Sequence, residues 1–280
     1  MSEATAAAAV CASEVRSHDF ARYATTLFVA PERRRPLLAL YAFAIEIARV
    51  RDHISQPLPG EIRLQWWSDA LAGRAEGEAG GNPIASELFE AIAACGLPVE
   101  RLEALIEAHR FDLYDDPMPS ILAFEDYCGA TAGTLYDLAA GILGHRSEAI
   151  AHLARHAGVA HGIATVLTRL PVHAARRQLY LPEDVLHEHG ARAEDIFAGQ
   201  TTPALFAVID HLAGEARGHL ASATRLLSEV PRDVRPAFLH LPLLRRALDR
   251  VGARGYDPFR PAPPSRLSVL WQVWRAARAA

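Results

Sequence analysis

Apolar residues recur at three- and four-residue spacing along most of the chain, which is the pattern of helices that pack by one face. In residues 17–30 this stripe consists of Phe20, Tyr23, Leu27 and Phe28. No segment alternates apolar and polar residues as a half-buried strand does, and no internal repeat occurs. The pattern predicts an all-α, single-domain protein with helices over residues 17–30, 31–54, 59–73, 82–96, 98–114, 120–144, 147–170, 203–229, 232–251 and 266–280.

Individual residues mark several of the predicted helix ends. Asn82 is suited to cap the free N–H groups at the start of one helix, and Gly96 is suited to its C-terminus. Ser147 is the corresponding cap of a later, longer helix. We expect that helix to end near Leu170, because Pro171 lacks an N–H donor and costs about 3 kcal/mol inside a helix.

The first dozen residues are small and apolar, but they include Glu3 and lack the basic leader of a secretory signal. We predict a flexible tail over residues 1–13, followed by one domain over residues 14–280. No run approaches the roughly 18 uninterrupted apolar residues of a membrane span. The chain is therefore expected to be soluble.

Composition narrows the functional classes. Half of the residues are apolar, which is enough for a sizeable core. The net charge of -4 gives no reason to expect a nucleic-acid partner. Cys11, Cys95 and Cys128 are an odd set without a close pair, which favours a reducing, cytoplasmic location over a disulfide framework.

Generic catalytic motifs are missing: the chain has no phosphate-binding glycine loop, no HExxH zinc motif and no G-x-S-x-G turn. Four other segments are more specific, namely residues 37–52 (LLALYAFAIEIARVRD), 110–114 (RFDLY), 124–139 (FEDYCGATAGTLYDLA) and 161–186 (HGIATVLTRLPVHAARRQLYLPEDVL). Their order and spacing resemble those of the squalene/phytoene synthase superfamily. The resemblance implies the isoprenoid synthase fold, an antiparallel helical bundle around a deep central cavity.

Active members of that superfamily carry two acidic motifs on facing helices, whose carboxylates hold the Mg²⁺ that binds the substrate diphosphate. Aligned on the resemblance, the first motif falls on Ala48, Arg49 and Asp52, and the second falls on Arg169 and His173. An arginine repels a cation by about 4 kcal/mol at 4 Å and an effective dielectric of 20. We therefore predict no catalytic residues and neither a metal nor a cofactor, with Mg²⁺ required only if the chain is an enzyme.

The remaining matches resemble one branch of the superfamily, the squalene/phytoene-synthase-like assembly factors of respiratory complex I (NADH:ubiquinone oxidoreductase). The matching residues are Ala42, Phe43, Glu46, Ile47, Ala48, Asp52, Ser55, Gln65, Trp67, Arg176, Arg177, Leu181, Pro182, Asp184, His189 and Gly190. This resemblance implies a non-catalytic role beside a membrane complex, with complex I subunits or assembly intermediates as partners. It does not imply that a bacterial relative serves the same complex.

Two other functions remain open. One is an active head-to-head prenyl transferase of the phytoene or squalene synthase type, which acts on prenyl diphosphates. The other is a carrier that holds a finished isoprenoid or quinone. The two broken acidic motifs favour the assembly role over the transferase.

Two sets of residues are candidates for a ligand site. An isoprenoid, lipid or anionic ligand is hypothesised to bind Arg49, Asp52, Arg169, His173, Arg176, Arg177 and Tyr180, because an arginine fork matches a phosphate or diphosphate. The competing interpretation is that some of these arginines are surface residues paired with Glu46, Asp52 or Asp184. The candidate cavity lining is Tyr41, Phe43, Tyr127, Ala132 and Gly133, although aromatic residues at helical spacing are more often ordinary core.

Two further features have open interpretations. His152 and His156 share a helical face, and His187 and His189 are close in sequence, but no third metal ligand is fixed by spacing. The C-terminal helix, with its tryptophans and arginines, is suited to rest on a membrane surface as a peripheral contact. Packing across the bundle is the simpler interpretation of that helix.

Overall fold

The computed structural model describes residues 3–74 and 81–279, and within them helices are the only regular secondary structure. The predicted all-α class is confirmed. The α-helices, in chain order, are α1 (Glu3–His18), α2 (Phe20–Thr26), α3 (Pro31–Ala48), α4 (Pro57–Leu71), α5 (Pro83–Cys95), α6 (Val99–Ala108), α7 (Ile121–Cys128), α8 (Thr134–Ile142), α9 (Glu148–Thr168), α10 (Leu170–Ala175), α11 (Glu183–Glu188), α12 (Ala193–Phe197), α13 (Pro203–Leu227), α14 (Leu241–Val251) and α15 (Arg266–Ala279).

Some of the predicted helices are shorter in the structure: those predicted over 31–54 and 98–114 are α-helical only to Ala48 and Ala108, and the one predicted over 232–251 begins at Leu241. The predicted caps agree with the structure. The Asn82 side chain accepts hydrogen bonds from the first turn of α5, and Gly96 ends that helix in the left-handed region with φ 59°. Ser147 caps α9. That helix ends at Thr168, slightly before the predicted end, and Pro171 lies in the first turn of α10, where a missing N–H costs nothing.

The N-terminus differs from the predicted flexible tail over residues 1–13. Residues 3–13 form the first turns of α1, which packs against α3 and α5. Cys11 and Val15 are buried in this contact. Alanine has the highest helix propensity, and burial of two apolar side chains adds stability that such a short helix lacks in isolation.

The core is organised around α9, which packs along α13 and against α7 and α8. A single π-helical turn, Gly129–Gly133, joins α7 to α8. A methyl group on Gly158 would overlap the backbone of Gly133, and one on Gly162 would overlap the Cys128 side chain. The backbone of α9 therefore lies in direct contact with the end of α7 and the π-helical turn. Only glycine, which has no side chain, allows so close an approach.

The C-terminal helix α15 packs on α2 and α14 by one face, through the buried Val269 and Val273. Its other face exposes Leu267, Trp271 and Trp274. Within residues 3–74 and 81–279, every helix is too short or too polar to cross a lipid bilayer. The packing interpretation of α15 is thus confirmed for one face, and the membrane contact of the exposed face stays a prediction.

The glycine contact generates a stability prediction. Gly158→Ala should lower the free energy of unfolding by about 3 kcal/mol, at the upper end of overpacking effects, because the obstacle is backbone that cannot rotate away. Gly214→Ala is the matched control: Gly214 lies inside α13 with open space around it, so alanine should raise stability by about 0.5–1 kcal/mol. Urea unfolding of both variants measures this. Equal, small effects would show that the close contact is not essential.

Candidate functional site

A cavity of about 320 Å³ lies at the C-terminal ends of α3 and α9. Arg49 is the residue that follows α3, and Arg169 is the residue that follows α9. Both arginines line the cavity. Their positive charges are favourable there, because the C-terminus of a helix carries partial negative charge.

Arginines outnumber carboxylates in this cavity, with Arg22, Arg49, Arg51, Arg169 and Arg176 against Asp19, Asp52 and Asp112. Asp52 is held by Arg49 at 3.6 Å and by a short ion pair with Arg176. Asp19 caps α2 and pairs with Arg22 at 2.8 Å. Each of these two carboxylates is thus already engaged by an arginine.

Asp112 lies at the base of the cavity and is buried. Its carboxylate accepts hydrogen bonds from the Tyr127 hydroxyl at 2.7 Å and the Tyr180 hydroxyl at 2.8 Å. His109 Nδ1 lies 2.6 Å from its second oxygen. Burial away from water, and then the negative charge of Asp112, raise the pKa of Tyr127 and the pKa of Tyr180 well above the usual value for a tyrosine. The tyrosines therefore remain protonated donors and fix the carboxylate in place.

Arg169 is the exception among the cavity arginines. Its side chain has no hydrogen-bond or ion-pair partner anywhere in residues 3–74 and 81–279, whereas each of the others binds a carboxylate. Beside it, burial and the Arg169 charge lower the pKa of His173 to about 4. The buried Nδ1 of this neutral histidine also lacks a partner among the described residues. An unpaired cation next to an unsatisfied polar atom is the part of the cavity best suited to bind an anionic ligand.

Most of the predicted ligand residues meet here: Arg49, Asp52, Arg169, His173, Arg176 and Tyr180 all line the cavity, together with Tyr127 and Ala132. Arg177 lies outside it. The backbone of Arg177 has φ 54°, which turns the side chain toward Glu194 at 2.8 Å and over the ring of Phe197.

Three residues that were predicted to line the cavity pack inside the core and do not line it. Phe43 is fully buried with its ring 5.1 Å from that of Trp67, and Tyr41 is buried beneath Arg22. Gly133 makes the backbone contact with α9. The alternative pairing of the cavity arginines holds only for Asp52, because Glu46 pairs with Arg63 and Asp184 accepts backbone N–H groups.

A second cavity, of about 680 Å³, adjoins the first and shares His161, Thr165 and Arg169 with it. It lies between α9, α14, α15 and the proline-rich segment 256–264, and its lining includes Arg246, Arg250, Arg254 and Arg260. Buried polar atoms of His240, Tyr256 and Gln272 face it without partners among the described residues. This cavity was not predicted from the sequence. The arginines clustered before the proline-rich segment are the one sequence signal that could have indicated it.

A helical bundle that closes around a cavity between the ends of two long helices has the architecture of the isoprenoid synthase fold. The structure is similar to squalene synthase HpnC from Alicyclobacillus acidocaldarius, with a TM-score of 0.79 and 26% identity over 92% of this chain and 97% of that one. A dehydrosqualene synthase shares the fold with a TM-score of 0.84 at 17% identity, over 99% of both chains. The squalene/phytoene synthase family model matches residues 15–275, and the chain belongs to this family.

The chain is similar to curated proteins of two kinds. The chain is 31% identical to mouse NADH dehydrogenase (ubiquinone) complex I, assembly factor 6, over 95% of this chain and 81% of that protein. The human protein of the same name is 30% identical over the same shares. The chloroplastic phytoene synthase of Narcissus pseudonarcissus is 25% identical over 89% of this chain and 60% of that enzyme.

Proposed function

We propose that this protein is a non-catalytic member of the squalene/phytoene synthase family that assists the assembly of respiratory complex I. The observation that carries the proposal is the pair Arg49 and Arg169, which occupy the two helix ends where the family's acidic motifs align. Greater identity to the complex I assembly factors than to phytoene synthases supports the same conclusion.

The charges in the cavity support the absence of prenyl transfer. Mg²⁺ takes oxygen ligands in near-octahedral geometry. Here Asp52 already balances Arg49 and Arg176, and Asp112 is saturated by its tyrosine and histidine donors. A divalent cation would therefore have to displace arginines from their partners and then tolerate their repulsion.

The cavity is proposed to bind an anionic ligand directly, with an isoprenoid or lipid as the class. Arg169 supplies the free guanidinium, and His173 and Arg176 lie on the same wall. The adjoining 680 Å³ cavity offers mainly apolar space for a hydrocarbon chain. A head group of phosphate or diphosphate type matches the planar fork of arginine.

Farnesyl diphosphate is the probe for this site. Without Mg²⁺, wild-type protein should bind it, and Arg169→Ala should weaken the affinity at least about tenfold, since a hydrogen bond to a charged group contributes about 1.5–3 kcal/mol. Arg177→Ala is the matched control and should have no effect, because Arg177 lies outside the cavity. Calorimetric titration measures both.

Repeating the titration with Mg²⁺, together with an assay for pyrophosphate release, tests the alternative function. Binding that requires Mg²⁺ would overturn direct capture by arginine. Mg²⁺-dependent release of pyrophosphate from farnesyl or geranylgeranyl diphosphate would establish the head-to-head prenyl transferase instead.

The assembly role predicts a defined loss in cells. Deleting the gene in its host should lower NADH:quinone oxidoreductase activity and the amount of assembled complex I, and the wild-type gene should restore both. Succinate:quinone reduction, which bypasses complex I, is the control and should be unchanged. Normal complex I content after deletion would refute the role.

A peripheral contact with a membrane, from the cytoplasmic side, completes the proposal. The exposed Trp271 and Trp274 lie beside Arg275 and Arg278, an arrangement suited to an anionic lipid surface. Trp271→Ala with Trp274→Ala should reduce cosedimentation with vesicles that contain anionic lipid. Leu58→Ala, which removes an exposed apolar side chain on α4, is the control. Equal sedimentation of all three proteins would exclude α15 as the contact.

A further inference from the structure

A second group of chemically active side chains lies away from the cavity, where α7, α9 and α13 meet. On α13, Glu215 and His219 are four residues apart and so share one face. Glu125 of α7 lies opposite them, and His156 of α9 lies beside them. His156 and the cavity residue His161 are five positions apart on α9, which separates them by about 140° around the helix. The group is therefore distinct from the cavity.

The ligand-type atoms of Glu125, Glu215 and His219 all lie within 4.8 Å of one another. His219 Nε2 is 3.2 Å from a carboxylate oxygen of Glu125. The side chains of His219 and Glu125 are 17% and 18% exposed, so both are held by their surroundings, while Glu215 is exposed and free to adjust.

We propose that Glu125, Glu215 and His219 form a binding site for a divalent transition metal of the Zn²⁺ type, with the fourth position open to water. One imidazole and two carboxylates are ligands that Zn²⁺ accepts in tetrahedral geometry. Bonds of about 2.0–2.1 Å place tetrahedral ligand atoms about 3.3 Å apart. The Glu125 and His219 atoms already have nearly this separation, and only the exposed Glu215 has to move inward.

Charge favours this site over the cavity. Within the part of the chain that the structure describes, neither Glu125 nor Glu215 forms an ion pair with an arginine. The nearby Arg155 binds Asp126 at 2.9 Å instead. Two carboxylates and a neutral imidazole balance the charge of a divalent cation, whereas the cavity presents an excess of arginines.

The neighbouring histidines supply the outer support that metal-bound histidines usually have. With the metal on His219 Nε2, the proton is on Nδ1, which lies 3.0 Å from His156 Nδ1. His156 Nε2 lies in turn 3.2 Å from His152 Nε2. In this arrangement His156 accepts the hydrogen bond from His219 on Nδ1 and carries its own proton on Nε2, toward His152.

The metal-free alternative is a chain of hydrogen bonds in the opposite direction, from His152 through His156 and His219 to Glu125. In that chain His219 carries its proton on Nε2. Metal binding would move it to Nδ1, and the two states therefore differ in an observable tautomer as well as in composition.

The test is a titration of the full-length, tag-free protein with Co²⁺ and Zn²⁺, in competition with a chromophoric chelator. We expect one tight equivalent of metal and the visible absorption of tetrahedral Co²⁺. His219→Gln should weaken binding by more than tenfold, and so should the double variant Glu125→Gln with Glu215→Gln. His156→Ala, which removes only the outer support, should weaken it about tenfold.

His211→Ala is the matched control. His211 lies two turns earlier on α13, in a group with Glu188 and His189 whose ligand atoms are similarly close. This variant should retain the tight equivalent. Loss of binding in His211→Ala but not in His219→Gln would assign the metal to the other group and overturn the proposal, as would the absence of tight binding in the wild type.

A thermal measurement separates binding from folding. In the absence of metal, wild type and His219→Gln should unfold at similar temperatures. Zn²⁺ should raise the midpoint of the wild type alone. Equal stabilisation of both proteins would show that the metal binds elsewhere.

Discussion

The backbone contact between α9 and the turn Gly129–Gly133 determines the rest of the arrangement. Because Gly158 lies directly on Gly133, and Gly162 directly on Cys128, the helices cannot separate without losing this contact or approach more closely. Tyr127 then reaches Asp112, and the C-terminal end of α9 brings Arg169 to the cavity that Arg49 lines from α3. The glycine contacts of α9 thus help to fix the position of the arginines that line the cavity.

The cavity lies in a bundle of the isoprenoid synthase fold, and its lining has more arginines than carboxylates. Two of its carboxylates already have partners: Asp52 pairs with two arginines, and Asp112 accepts hydrogen bonds from two tyrosine hydroxyls and lies 2.6 Å from His109 Nδ1. What remains available is positive charge, concentrated in the unpaired Arg169 where the two cavities join. This charge distribution is the basis of the proposal that the cavity binds an anion directly, without a bridging metal.

The two faces of α9 therefore have separate chemistry. Its cavity face ends in a cation, while its α13 face carries imidazoles next to carboxylates. A ligand in the cavity would contact α9, whereas a metal would bind to α7 and α13, with His156 of α9 as outer support. The two sites are therefore connected through α9, which packs along α13.

The sequence alone determined the helical class, most helix positions and the caps at Asn82, Gly96 and Ser147, because these depend on local periodicity and on hydrogen bonds within a few residues. It also placed Arg49 and Arg169 at the aligned motif positions. Only the tertiary structure decided that Arg177 points away, that Phe43 and Tyr41 belong to the core, and that Glu125, Glu215 and His219 converge from two helices. These outcomes depend on side-chain direction and on distances between segments far apart in the chain, which no local pattern specifies. The helical structure of residues 3–13 was also decided by the tertiary structure, because α1 is buried against α3 and α5.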